Sequence, residues 1–274
     1  MRLIIHDTMA DVTEWTAKYI LKRIHDFNPN ANKYFVLAMG SDSSPAGVYK
    51  KLIEYYKAGK VSFRYVKTFN LMEYVGIASD NPVSYYSYTH NNFTDHVDID
   101  PKNVFTLNGT ASDLVAECEE YEKKIKEAGG IDLHMTGVGL DGHVAWNVPG
   151  SSLLSRTRVK TLGEMSVKEI CVHFDNDTRK VPRQVLTVGI DNMMEIGELL
   201  FIFNGTAKAV ALQKAVEEGI NSMWEISAFQ QHPRTLLICD KDSTVELRVK
   251  TVNYYKAIEY THSKLAEEAS ALSK

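Results

Sequence analysis

The sequence predicts an α/β fold, organised as a single domain over residues 1–274, with a mostly parallel sheet and helices on both faces. Short apolar runs alternate along the chain with longer amphipathic stretches, which is the pattern of strands followed by helices. The 274 residues are 44% hydrophobic and 24% charged, an ordinary globular composition. No internal repeat, linker-like stretch or shift of composition divides the chain.

The predicted elements follow one another in strand–helix order. Apolar side chains at helical spacing predict a first helix, which Asn28-Pro29-Asn30 ends. A charged helix ends at Gly129-Gly130. We predict strands at 34–39, 66–69, 131–135, 186–188, 199–203 and 235–239, and helices at 12–27, 46–58, 114–128, 206–217 and beyond 252.

Composition excludes several classes of partner. The net charge is −4, from 31 basic and 35 acidic residues, so the basic surface of a nucleic-acid-binding protein is not expected. Three isolated cysteines without a CxxC pattern predict neither a disulfide framework nor a zinc site. The start of the chain lacks a signal-peptide pattern, and no apolar run approaches a membrane span. We therefore expect a cytoplasmic protein with no membrane contact.

Ligands of such folds bind at the carboxyl ends of the strands, which selects the loops at 40–45, 70–76 and 136–149. The last loop contains Gly137, Gly139 and Gly142, which allow close approach of the backbone to a ligand. Asp141 and His143 lie two residues apart, and a carboxylate beside an imidazole is a workable acid–base pair near neutral pH. The alternative is that Asp141 caps a turn and His143 is structural.

Two further segments have the composition of anion sites. The loop at 40–45 joins a strand to a helix through Ser41, Ser43 and Ser44, a usual place for a phosphate, although Asp42 would repel an anion and instead suits a helix cap. Ser151, Ser152, Arg158 and Lys160 form a second group, and a solvated basic loop is the alternative interpretation.

We expect no metal and no cofactor. His90, His96 and His232 lack metal-ligand spacing. The nucleophile-elbow and P-loop motifs are also absent from the sequence.

Several motifs occur in register along the chain: Thr68-Phe69-Asn70, Glu73-Tyr74-Val75-Gly76, Leu107-Asn108-Gly109, Asp141-Gly142-His143, Leu186-Thr187-Val188-Gly189 and Met223-Trp224. With these motifs the sequence resembles the glucosamine-6-phosphate deaminase (isomerase) family over nearly the whole chain. The resemblance implies a modified Rossmann-like sheet, aldose–ketose isomerisation with loss of ammonia and without a metal, and a homohexamer.

The family mechanism requires four side chains, of which two match. The resemblance assigns ring opening to His143, held by Asp141. A third carboxylate belongs where the sequence has Val148, and the aspartate that moves the proton between C1 and C2 belongs where it has Met72. Methionine cannot accept a proton, so the resemblance predicts impaired or altered activity, with Glu73 as a conceivable substitute.

The residues at the positions for phosphate and modulator binding differ from the family pattern to different degrees. The resemblance places the substrate at the loop 41–44, Gly137 and Lys208, with Val172 in the position of a phosphate-binding arginine. Ser222 replaces the family histidine that precedes Met223-Trp224. An N-acetylglucosamine 6-phosphate modulator site is implied at Ser151, Ser152, Arg158, Lys160 and Tyr254. Three hypotheses remain open: a family enzyme with residual activity, a non-catalytic sugar-phosphate sensor or regulatory subunit, and a pocket repurposed for a non-phosphorylated ligand.

Overall fold

The computed structural model describes residues 1–40 and 45–272 of the chain. Within these ranges the strands are β1 (Arg2–His6), β2 (Phe35–Met39), β3 (Val66–Asn70), β4 (Met72–Tyr74), β5 (Val104–Phe105), β6 (Leu133–Gly137), β7 (Arg158–Thr161), β8 (Gln184–Thr187), β9 (Leu199–Phe203) and β10 (Thr235–Asp240). The α-helices are α1 (Met9–Phe27), α2 (Ala46–Lys57), α3 (Tyr85–Asn92), α4 (Leu114–Glu127), α5 (Glu164–Ile170), α6 (Ile190–Met194), α7 (Ala209–Glu217) and α8 (Val249–Leu272).

Seven strands form the main sheet in the order β1-β10-β9-β6-β2-β3-β5, and every neighbouring pair is parallel. Parallel strands need crossover connections, and here helices supply most of them. The predicted α/β fold with a mostly parallel sheet is therefore confirmed.

Both faces of this sheet are buried under helices. Along β2, Leu37 and Met39 point into one apolar core while Val36 and Ala38 point into the other, as the two-residue period of a strand requires. Helices α1 and α2 cover the first core, and α4, α7 and α8 contribute to the second. This two-sided burial explains why β2 and β9, the neighbours of the central strand β6, are continuous apolar runs in the sequence.

A second sheet, which the sequence patterns did not predict, has the order β4-β8-β7 and is antiparallel. Thr187 of β8 pairs with Met72 on one side and with Arg158 on the other. A third apolar cluster covers this small sheet and includes Trp146 and Phe174. Met72 and Arg158 are therefore fixed in position relative to each other by the strand β8 that lies between them.

Several predicted bounds were wrong by a few residues. Helix α1 begins at Met9, because Thr8 caps it by accepting a hydrogen bond from the N–H of Asp11 at 3.2 Å. The strand predicted at 186–188 runs over Gln184–Thr187. The opening segment, for which no strand was predicted, forms edge strand β1 along β10. No helix in the described ranges is both long and apolar enough to cross a bilayer.

The order of the strands places a crevice at the carboxyl ends of β2 and β6. From β2 the chain continues to β3 on one side, whereas β6 lies on the other side and pairs with β9. The connections leaving β2 and β6 diverge, which opens a gap above the sheet. The loop 136–149 and the small sheet border this gap.

Candidate active site

A cavity of about 490 Å³ occupies this crevice. Its size is within the range of small-molecule sites. Four of the residues proposed for catalysis or substrate binding line it: Met72, Gly137, His143 and Lys208. The other described lining residues are Tyr74, Pro82, Val83, Tyr85, Tyr88, Thr136, Val138, Gly139, Ala145, Trp146, Glu169, Ile170 and His173.

Asp141 and His143 form a hydrogen-bonded pair in the loop after β6. The Oδ1 of Asp141 lies 2.6 Å from Nδ1 of His143 and also accepts the backbone N–H of His143 at 3.2 Å. Burial raises the pKa of Asp141, but the hydrogen bond and the charge of His143 outweigh burial and hold this pKa below its usual value. Asp141 is therefore an anion that fixes the orientation of the ring and leaves Nε2 as its second polar atom.

The glycines of the loop make this pair possible. A Cβ atom placed on Gly139 would lie 2.2 Å from Nδ1 of His143, so a side chain there would displace the imidazole. Gly142 has φ of +81°, a conformation that L side chains rarely adopt. Trp146 then stacks on the imidazole at 5.8 Å between ring centroids, with 11° between the planes.

Met72 forms part of the cavity wall with an exposed fraction of 8%. It packs in the apolar cluster of the small sheet together with Tyr74 and Trp146. This placement puts the thioether beside the space in which a ligand of the cavity would lie.

Glu73 does not turn towards the cavity. Its carboxylate accepts the hydroxyl of Ser84 at 2.8 Å and the backbone N–H groups of Tyr74, Tyr85 and Tyr86. Burial raises its pKa, and these hydrogen bonds oppose the rise. Glu73 thus anchors the start of α3, as expected for a strand neighbour of Met72 that points to the opposite face.

Gly137 ends β6, and Lys208 lies in the 3₁₀ turn Thr206–Lys208 that follows the neighbouring strand β9. The Nζ of Lys208 donates to the carbonyl of Val138, which brings the ammonium group over the loop after β6. The predicted phosphate loop, Ser41, Asp42, Ser43 and Ser44, lies outside the described residues. Val172 is 60% exposed and is not among the lining residues, whereas its neighbour His173 is.

Val148 is partly buried and packs against the apolar cluster that contains Met72. It is not among the residues that line the cavity. Its carbonyl accepts the N–H of Ser151 at 3.0 Å and the hydroxyl of Ser151 at 2.7 Å, which closes the turn after the loop.

The second predicted group assembles beside this turn. The Nζ of Lys160 donates to Oγ of Ser151 at 3.1 Å, and Arg158 donates to Oδ1 of Asn147 at 2.9 Å. Burial lowers the pKa of both cations, and the charge of Glu225 opposes this effect. Ser152 begins the next turn, in which its carbonyl accepts the N–H of Ser155 at 3.0 Å. Tyr254 is 62% exposed on α8 and has no described contact with the group within the chain.

Three ionisable groups in or near the site were not predicted from the sequence. Glu169 on α5 and His173 just after it line the cavity, where their spacing in sequence gives no metal or catalytic signal. Glu225 is fully buried behind the loop. A glutamate between Trp224 and Ile226, inside an apolar run, was the available signal for it. Within the described ranges, no three His, Cys, Asp or Glu residues are grouped as a metal site.

Comparison with known proteins identifies the family. The sequence signature described as "Glucosamine-6-phosphate isomerases/6-phosphogluconolactonase" matches residues 7–238. Glucosamine-6-phosphate deaminase 2 of Xenopus tropicalis is 54% identical over 274 residues, which is all of both chains. Glucosamine-6-phosphate deaminase of Drosophila melanogaster is 56% identical over 258 residues, covering 94% of each chain.

Solved structures agree with this assignment. A monomeric glucosamine-6-phosphate deaminase superposes with a TM-score of 0.85 at 31% identity, covering 90% of this chain and all of that chain. The 6-phosphogluconolactonase of Thermotoga maritima, at 19% identity and a TM-score of 0.68, shares the fold, with 88% of this chain and all of that chain covered. The chain therefore belongs to the glucosamine-6-phosphate isomerase/6-phosphogluconolactonase family.

Proposed function

We propose that the chain binds an amino-sugar phosphate in the cavity and opens its pyranose ring, but isomerises and deaminates it far more slowly than the deaminases it resembles. The names of the similar proteins supply the substrate class. The cavity supports it: aromatic walls at Tyr74, Tyr85 and Trp146 suit the face of a sugar ring, and Lys208 offers a cation to a phosphate.

Ring opening rests on the Asp141–His143 pair. The anionic Asp141 orients the imidazole through Nδ1, so that Nε2 can take the proton of the 1-hydroxyl group and return it to the ring oxygen. Both transfers involve oxygen atoms of the sugar, so a single imidazole suffices for them. The loop that holds His143 in the wall of the cavity supports this role.

Isomerisation requires a further group, and the identity of residue 72 is the observation that carries the proposal. Moving a proton from C2 to C1 needs a base beside those carbons, and a thioether cannot be that base. Glu73 is turned away and fully hydrogen-bonded. Loss of a positioned general base costs about 10²–10⁴-fold in rate. Glu169 is the one carboxylate among the described lining residues, and it lies on α5, in another element of the wall.

The test is an ammonia-release assay with glucosamine 6-phosphate on the unaltered protein and on Met72→Asp, with Val148→Glu added in a double variant. We expect slow release from the unaltered protein and an increase of about 10²-fold or more when the aspartate is supplied. Glu169→Gln is the control for a substitute base. Fast fructose 6-phosphate production by the unaltered protein would refute the proposal.

A non-catalytic, regulatory role is the second candidate, and the group at Ser151, Arg158 and Lys160 favours it. Beside the loop, Lys160 donates to Ser151 and Arg158 donates to Asn147. Calorimetric titration with N-acetylglucosamine 6-phosphate tests this candidate. Equal heats from the unaltered protein and from Lys160→Ala would contradict it.

A further inference from the structure

Glu225 is a buried carboxyl group that the proposed reaction leaves without a role. It begins a short 3₁₀ helix, Glu225–Gln230, and its exposed fraction is 0%. Its Oε2 has no hydrogen-bond partner among the residues that the structure describes, and its Oε1 accepts a long hydrogen bond from the N–H of Ser151 at 3.3 Å. A carboxyl group buried with so little compensation is costly, which calls for an explanation beyond packing.

The position of Glu225 supplies that explanation. The chain around it is fastened to the back of the loop, because the N–H of Ile226 donates to the carbonyl of Gly142 at 3.0 Å. Gly142 separates Asp141 from His143, and both of these side chains interact electrostatically with Glu225. From β7, Arg158 and Lys160 also interact with it.

We propose that Glu225 is a positioning residue that carries an exchangeable proton and sets the charge around the Asp141–His143 pair from behind the loop. The inference rests on the proposed role of His143 in ring opening and extends it. Glu225 is not among the residues that line the cavity, so it acts through the pair and not on the sugar.

This role depends on the balance between burial of Glu225 and the charges around it. Burial raises the pKa of Glu225 to about 7, and the neighbouring charge of Asp141 adds to the rise, whereas backbone N–H groups and His143 oppose it. The group therefore changes charge near neutral pH. When it is ionised, its negative charge is attracted to the charge of His143 and repelled by the anion at Asp141, and Arg158 and Lys160 moderate both effects.

Coupling between charges is reciprocal, so it can be read at Glu225 itself. The experiment follows the ¹³Cδ resonance of Glu225 from pH 4 to 9 in the full-length protein, assigned by its loss in Glu225→Gln. We expect a midpoint near pH 7, a higher midpoint in His143→Gln because the charge of His143 lowers the pKa of Glu225, and a lower one in Asp141→Asn because the charge of Asp141 raises it. The control is the variant Glu198→Gln, in which the midpoint of Glu225 should stay the same. Glu198 is a buried carboxylate just before β9 that pairs with Arg23.

A midpoint that is the same in His143→Gln, Asp141→Asn and the unaltered protein would overturn the inference, whatever the turnover. Where ring opening is measurable, as anomer exchange of glucosamine 6-phosphate, its pH profile should lose the inflection near pH 7 in Glu225→Gln. An unchanged profile would also overturn it. Absence of anomer exchange from the unaltered protein refutes the proposed function instead, and the resonance midpoints then decide the role of Glu225.

Discussion

Replacing Glu225 by glutamine should change how the stability of the protein depends on pH. The usual pKa of a glutamate is 4.5, and in the folded chain burial raises that of Glu225 to about 7. The folded state thus binds more protons than the unfolded state between these two values. The contribution of Glu225 to stability is complete below about pH 4.5 and is lost as the pH rises through 7.

The magnitude follows from the difference between the two pKa values. One pKa unit corresponds to 1.36 kcal/mol, so about 2.5 units correspond to about 3 kcal/mol. Glutamine has a similar shape and cannot ionise. The free energy of unfolding of Glu225→Gln, relative to that of the unaltered protein, should therefore increase by about 3 kcal/mol between pH 4.5 and 8.

Urea unfolding at a series of pH values, with the protein concentration held constant, measures this difference. Glu122→Gln is the matched control of opposite sign. Burial raises the pKa of Glu122, but hydrogen bonds from Arg156 and Thr157 outweigh burial and lower it, so the relative stability of this variant should fall as the pH rises. A flat difference for Glu225→Gln would refute the reasoning that burial holds this carboxyl group neutral.

Two further predictions concern the cavity. Asp141→Asn removes the anion that holds Nδ1 of His143 at 2.6 Å, so anomer exchange should slow by about tenfold or more. The Kd of glucosamine 6-phosphate, measured by calorimetry, should stay within about twofold. Equal exchange rates in the variant and the unaltered protein would contradict this prediction. Lys208→Ala removes a cation from the wall of the cavity, so the Kd of glucosamine 6-phosphate should rise about tenfold or more. Glucosamine, which lacks the phosphate, is the control ligand, and its Kd should not change.

The main sheet could be predicted because its strands are buried on both faces. Strands β2 and β9 are continuous apolar runs, β10 contains the apolar run 236–239, and glycines or turn residues separate these strands from amphipathic helices. The small sheet left no comparable signal. Strands β4 and β7 have three and four residues, and pairing with β8 is what makes them strands.

The candidate site was also predicted only in part. Asp141 and His143 are close in sequence, and the glycines around them indicated a loop that approaches a ligand. Contacts between residues that are far apart in sequence could not be predicted from such a pattern. Glu73 turns to the start of α3, and the carboxyl group of Glu225 is buried behind the loop. His173 lines the cavity, whereas the exposed Val172 does not.

By itself the sequence determined the alternation of strands and helices, the family, and the thioether at position 72, because periodicity and residue identity are properties of the chain. The tertiary structure alone decided which side chains share the cavity and which groups are buried together. The electrostatic environment of Glu225 depends on segments from 141–143 and 158–160 that are far away in sequence. Desolvation and charge coupling depend on distance in space, and folding sets that distance.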